Sequence, residues 1–125
     1  MENNVTAYIL DTETTGTDEP RIIEAAWLKI SEPFSGQVKE QYLHRFNPGE
    51  KSTLGALATH HILDEELVDC PPYTEFRLPA DAEYIIGHNV DYDWKVIGKP
   101  EIKRICTMAI SRFLFPLLDS HTQSA

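Results

Sequence analysis

Two carboxylates one residue apart, Asp11 and Glu13, close the apolar run Tyr8-Ile9-Leu10 and precede the turn Thr14-Thr15-Gly16. In an extended strand alternate side chains share a face, which puts this pair on one side, about 6 to 7 Å apart at about 3.3 Å rise per residue. Like charges that close resist joint ionisation unless a cation or a proton intervenes. The pair is therefore a candidate for half of a metal site. Asp and Thr also gather wherever a strand meets a turn, and the nonapeptide taken alone leaves both meanings open.

The elements that would position such a pair follow from the pattern around it. Arg21–Ile30 is apolar with β-branched and aromatic residues, which predicts a strand covered on both faces. Ser31–Gly36 reads as a turn, and Gln37–Phe46 alternates, with Val38, Tyr42 and Phe46 on one face, as an antiparallel strand near an edge does. Asn47-Pro48-Gly49 ends this three-stranded meander. The Leu- and Ala-rich stretch 53–59 predicts a short helix, and a second is expected from an N-cap at Asp64 to Cys70, before Pro71-Pro72. Glu83–Gly87 reads as a buried strand leading into a helix that starts near Asn89 or Asp91. Lys103–Thr107 suits a fifth strand, and Met108, Ile110, Phe113, Leu114 and Leu117 recur at helical spacing up to Pro116. The order of elements is that of an α/β layered domain.

Bulk properties narrow the function classes. A chain of 125 residues fits one domain, here 1–125, with enough bulk for a core. No apolar run approaches the roughly 18 residues of a membrane span, and Met1–Asn4 lacks the charge and apolar stretch of a secretory signal, so a cytoplasmic address is expected. Cys70 and Cys106 stand singly, as reduced thiols do. The net charge of −9, from 11 basic against 20 acidic residues, disfavours electrostatic tracking along a nucleic-acid backbone. It permits a grip on one strand end, where carboxylate-held cations reverse the local potential.

Three stretches in order carry a family resemblance: Asp11-Thr12-Glu13-Thr14-Thr15-Gly16 with Ile22-Ile23-Glu24 after it, Ala56–Glu66 with His60-His61-Ile62, and His88-Asn89-Val90-Asp91-Tyr92-Asp93. Together they resemble the DEDD-type (DnaQ-like) 3′-5′ exonucleases of ribonuclease H-like fold, in a pattern like that of the exonuclease X group. Cys106-Thr107-Met108 and Ser111-Arg112 extend the likeness to nearly the whole chain. The resemblance implies a mixed sheet, a three-stranded antiparallel meander plus parallel strands, with flanking helices. It also implies two Mg²⁺ or Mn²⁺ ions at a phosphodiester, with Asp11 bridging them, Glu13 completing one shell and Asp93 as the second-motif ligand. Asp91 competes for that last role, but residues two apart on a helix point about 200° apart, and Asp91 suits a helix N-terminal charge. By the same resemblance the backbone of Thr14, Thr15 and Gly16 would approach a terminal nucleotide, with Asn89 and His60 bonding its sugar or phosphate. The substrate implied is a nucleic-acid 3′ end, single strands preferred, with DNA against RNA left open.

The pattern breaks at the family's third motif, a histidine base and a fourth aspartate on one later helix. His121 is followed by only four residues, and Asp119 precedes it in what reads as a helix cap. The expectation is a C-terminally truncated domain without its final helices, weakly active or inactive, with an apolar sheet face left open or covered by a second copy or another protein. The competing expectations are a non-catalytic remnant that binds nucleic-acid ends or a protein, and, ranked below it, a phosphatase with Asp11 as nucleophile. The last lacks the second aspartate at position 13 and leaves His88–Asp93 without a role.

Overall fold

The computed structural model describes residues 6–31 and 38–107. The expected turn at 32–36, the helix built on Met108–Leu117, Asp119 and His121 lie outside the described residues. The five strands are β1 (Thr6–Thr14), β2 (Ile22–Ser31), β3 (Glu40–Arg45), β4 (Tyr84–Gly87) and β5 (Lys103–Cys106). They form one sheet in the order β3-β2-β1-β4-β5, with β1, β2 and β3 antiparallel and β1, β4 and β5 parallel. This is the mixed sheet expected from the sequence, with β3 at one edge.

Two helices matter for the site. Helix α1 (Leu54–His60) begins at Thr53, whose hydroxyl accepts the Ala56 N–H at 3.1 Å as an N-cap should. Helix α2 (Val90–Val96) starts from Asn89, which sits in the left-handed region at φ 69°. It packs on the sheet face that carries Tyr8, Leu10, Trp27 and Ile85, and buries Val90 there. The turn between β4 and α2 is tight. A Cβ on Gly87 would lie 3.0 Å from the Leu10 carbonyl and 3.3 Å from Val90 Cγ2, so a larger residue would have to push β1 or the helix back by a few tenths of an ångström. A hydroxyl anchors the far end of the sheet: Tyr8 donates to Asp81 at 2.6 Å, and Lys29 pairs with the same carboxylate at 2.8 Å.

Two expectations are corrected. The stretch after Asp64 is a single 3-10 turn, Asp64–Leu67, and Asp64 is its first residue rather than its N-cap. Its carboxylate instead accepts the Ser52 N–H at 3.2 Å, tying the turn to the segment before α1. Strand β2 is also not covered on both faces. By register, Ile105, Ile86, Ile9 and Leu28 line up across four strands on the face opposite α2, and Asp11, Ala26 and Leu43 form the next row. Ile9, Leu28, Leu43 and Ile105 are exposed at 39%, 37%, 67% and 36%, and a hollow of about 590 Å³ lies over this face and reaches Asp11. Cys70 and Cys106 are both half-buried, and neither forms a disulfide among the described residues. Among the described residues no helix is long and apolar enough to cross a membrane.

Candidate active site

Strand β1 runs past its parallel neighbour. The last β1–β4 pair is Ile9 with Ile86, whereas β1 continues to Thr14. Beyond that pair the edge of β1 facing β4 has no ladder partner among the described residues. Asp93, from α2, uses the vacancy: its Oδ1 accepts the Thr12 N–H at 3.2 Å and the Thr12 hydroxyl at 2.6 Å. Asp93 is buried, at 5% exposure. Asp11 and Glu13 leave the opposite face of β1, and the charges of the three carboxylates act on one another around this edge. Asp91, by contrast, is exposed and paired with Arg104 at 2.7 Å, which matches the helix-terminal role expected for it.

The electrostatics are those of crowded carboxylates. Burial pushes the Asp93 carboxyl up to about 6, with the Asp11 charge adding to the effect and the Thr12 hydroxyl opposing it. Glu13 is raised by burial and then by Asp11, Glu24 and Asp93; Asp11 is raised by partial shielding from water and by Glu24. Glu24 is thus a fourth carboxylate of this neighbourhood. It is the cross-strand partner of Glu13, and Arg45 holds it at 3.1 Å while also reaching Glu66 at 3.6 Å. Such mutual repulsion, in a group that burial already disfavours, is relieved by protons or by a cation. The donor set, all hard oxygens, suits a divalent ion such as Mg²⁺ or Mn²⁺. In the conformation observed it is not closed into a cage: among the described residues no group of three or more His, Cys, Asp or Glu side chains is spaced to hold one ion.

Beside Glu13 opens a cleft of about 440 Å³. One wall is the end of β1 with Thr14 and Gly16, the other is α1 with Thr53, Ala56, Thr59 and His60, and Tyr92 closes a side. The Tyr92 hydroxyl bonds the Thr14 hydroxyl at 2.7 Å. His60 Nδ1 accepts the Ile62 N–H at 2.9 Å, which fixes its proton on Nε2, a buried atom; the ring also feels the Thr14 backbone. Burial holds its imidazole below the usual histidine range, so the ring is a neutral donor near the cleft.

The predicted residues divide accordingly. The structure sets Asp11, Glu13 and Asp93 where their charges act on one another and places Thr14, Gly16 and His60 on the cleft. Thr15 is fully buried with its hydroxyl turned away to Glu50, leaving only its backbone near the turn. Asn89 is exposed at the head of α2 and does not line the cleft. Sequence reasoning missed Thr12, Glu24, Tyr92 and Glu50 as members of the neighbourhood. Antiparallel pairing of β1 with β2 is the signal that would have found Glu24, since it sets Glu24 opposite Glu13.

No protein-family model matches the chain. Among curated proteins it is similar to exodeoxyribonuclease 10 of Escherichia coli K12, 29% identical over 110 residues that cover 86% of this chain and 48% of that protein. It is also similar to a PolC-type DNA polymerase III of Pediococcus pentosaceus, 29% identical over 90% of this chain and 9% of the polymerase. The chain therefore spans about half the length of the first of these relatives. Among solved structures, exonuclease X in complex with 5′ overhanging duplex DNA superposes with a TM-score of 0.76 at 28% identity, covering 90% of this chain and 66% of that one. Escherichia coli exonuclease I bound to a dA16 oligonucleotide gives a TM-score of 0.71 over 90% of this chain and 30% of that one; at 19% identity it speaks for the fold alone.

Proposed function

We propose that the chain, which is similar to exonuclease X, is a DnaQ-like exonuclease domain and forms part of a metal-dependent 3′-5′ exonuclease that removes nucleoside monophosphates from DNA 3′ ends, single strands preferred. The observation that carries this is the mutual electrostatic influence of Asp11, Glu13 and Asp93 around the end of β1, with Glu13 lining a cleft of about 440 Å³. Asp11, Glu13 and Asp93 would hold the divalent ions. When bound, such ions supply charge neutralisation and an activated water at the scissile phosphate. Thr12 orients Asp93 through two hydrogen bonds. The Thr14–Gly16 backbone, Tyr92 and His60 shape the cleft for the terminal nucleotide. Residues 94–125 contain no histidine with an aspartate after it, and general-base help is typically worth 10²- to 10⁴-fold. Slow turnover, on the order of that deficit, is the expected behaviour of this stretch alone. A second copy or another protein over the Ile9, Leu28 and Leu43 face is proposed with it. A monomer on size-exclusion chromatography that binds no apolar dye would count against that cover.

Incubating the chain with 3′-labelled single-stranded DNA and Mn²⁺, beside an Asp11→Ala control, tests the proposal. Metal-dependent capture of 3′ ends with slow release of mononucleotides, both lost in the control, is expected. Equal release by the control, or no metal-dependent capture at all, would refute it. Capture without any release would instead favour a non-catalytic end-binding remnant, the reading that the missing base keeps in view.

A further inference from the structure

Glu50 lies in the loop between β3 and α1, three residues before the Thr53 cap, and its side chain is 26% exposed. Its Oε2 accepts the Thr15 hydroxyl at 2.6 Å and the Thr17 hydroxyl at 2.9 Å, and Arg21 Nε stands 3.8 Å from Oε1. The Thr15 hydroxyl in turn accepts the Arg21 N–H at 3.1 Å, and the Thr15 carbonyl accepts the Thr53 N–H at 2.8 Å. Both walls of the cleft pass through this knot: the Thr14–Gly16 turn on one side, and Thr53, which caps α1, on the other. The hydroxyl donors hold the Glu50 carboxyl below the usual carboxylate range, so its charge is present throughout neutral pH. None of its contacts reaches Asp11, Glu13 or Asp93.

We infer that Glu50 is a positioning residue of the nucleotide cleft, clasping the β1 turn to the start of α1 so that the two walls stand at the separation a terminal nucleotide needs. The inference rests on the reading of the cleft as the seat of that nucleotide. Glu50 acts on the walls and leaves the metal-holding carboxylates alone, and this division makes it testable. Without the clasp the turn keeps its backbone bonds and the local bonds of the Thr14 and Thr15 hydroxyls but loses its side-chain tie to the loop before α1, the Gly16 rim moves relative to α1, and nucleotide affinity falls while metal affinity stays.

Calorimetric titration of the full chain with Mn²⁺, then with thymidine 5′-monophosphate in saturating Mn²⁺, separates the two affinities. For Glu50→Ala the nucleotide affinity should fall about tenfold or more, as loss of hydrogen bonds to a charged acceptor does, with Mn²⁺ affinity within about twofold of the parent. Glu50→Gln keeps an oxygen acceptor for the threonine hydroxyls and should recover most of the loss. Thr17→Val removes one donor and should weaken the nucleotide by about threefold; it carries the test if Glu50→Ala does not fold. Parent-like nucleotide binding in a folded Glu50→Ala or in Thr17→Val overturns the inference, and so does a parallel loss of Mn²⁺ and nucleotide affinity. Failure of the parent chain itself to bind the nucleotide with Mn²⁺ overturns the exonuclease reading, and the inference with it.

Discussion

Asp93→Asn should make the metal-free protein more stable at pH 7.5 by about 3 kcal/mol, a rise in melting temperature of about 10 °C for a domain of this size. Asp93 is 5% exposed, and its carboxyl is raised from 3.8 to about 6, chiefly by burial. For an acid raised on folding, the native state binds the proton more tightly than the unfolded state does. Stability therefore falls as pH rises through the window from about 4 to 6, and the full cost stands above it. Asparagine carries no charge to desolvate, and its Oδ1 can still accept from the Thr12 N–H and hydroxyl. The difference between variant and parent should thus be near zero at pH 4, open between pH 4 and 6, and hold constant to pH 7.5. Melting curves at these pH values in the presence of a chelator measure it. Addition of Mn²⁺ at pH 7.5 should stabilise the parent and have far less effect on the variant, because the ion replaces the proton as the relief for the carboxylates. A variant no more stable than the parent at pH 7.5, or an offset that does not change with pH, would remove Asp93 as the strained member of the site.

That strain shows which parts of the site were legible from residues alone. Alternation along a strand put Asp11 and Glu13 on one side, and helical angular spacing separated Asp93 from Asp91; both are local rules, and the geometry agrees with them. Thr12 was invisible because its role depends on where a different strand stops. Its N–H is available only because the β1–β4 ladder ends at Ile9 and Ile86. Glu24 was read as part of a strand motif, yet its effect on Asp11 and Glu13 arises from cross-strand register, with a register shift between Glu13 and Thr14. Asp64 illustrates competition between partners. It carries the sequence mark of an N-cap, but the Ser52 N–H was left to satisfy, and the carboxylate bonds there instead. The open face of β2 could not be read from its apolar run, since an apolar strand looks the same whether or not its second face is covered.

Two glycines on the cleft should respond to alanine with opposite signs. Gly16 has φ +73°, and a Cβ there would sit 2.7 Å from the Ala56 Cβ and 2.8 Å from Thr53 Oγ1. The left-handed backbone costs a non-glycine residue about 1 to 2 kcal/mol, and overpacking against a fixed neighbour about as much again, so Gly16→Ala should destabilise by about 3 kcal/mol. Gly55, in the first turn of α1, has ordinary φ and nothing within 4 Å of its added Cβ. There alanine improves helix propensity and narrows the unfolded ensemble, which should stabilise by about 0.5 to 1 kcal/mol. Urea midpoints of the two variants measure both. A cycle with Ala56→Gly isolates one cause at Gly16: removing the facing methyl should restore its share of the steric cost, while the Thr53 Oγ1 contact and the backbone cost of about 1 to 2 kcal/mol remain. If instead Gly16→Ala is as stable as the parent, the turn has moved away from α1. The cleft beside Glu13 would then have a different width from the one observed, and the clasp through Thr15 and Glu50 would not be holding it.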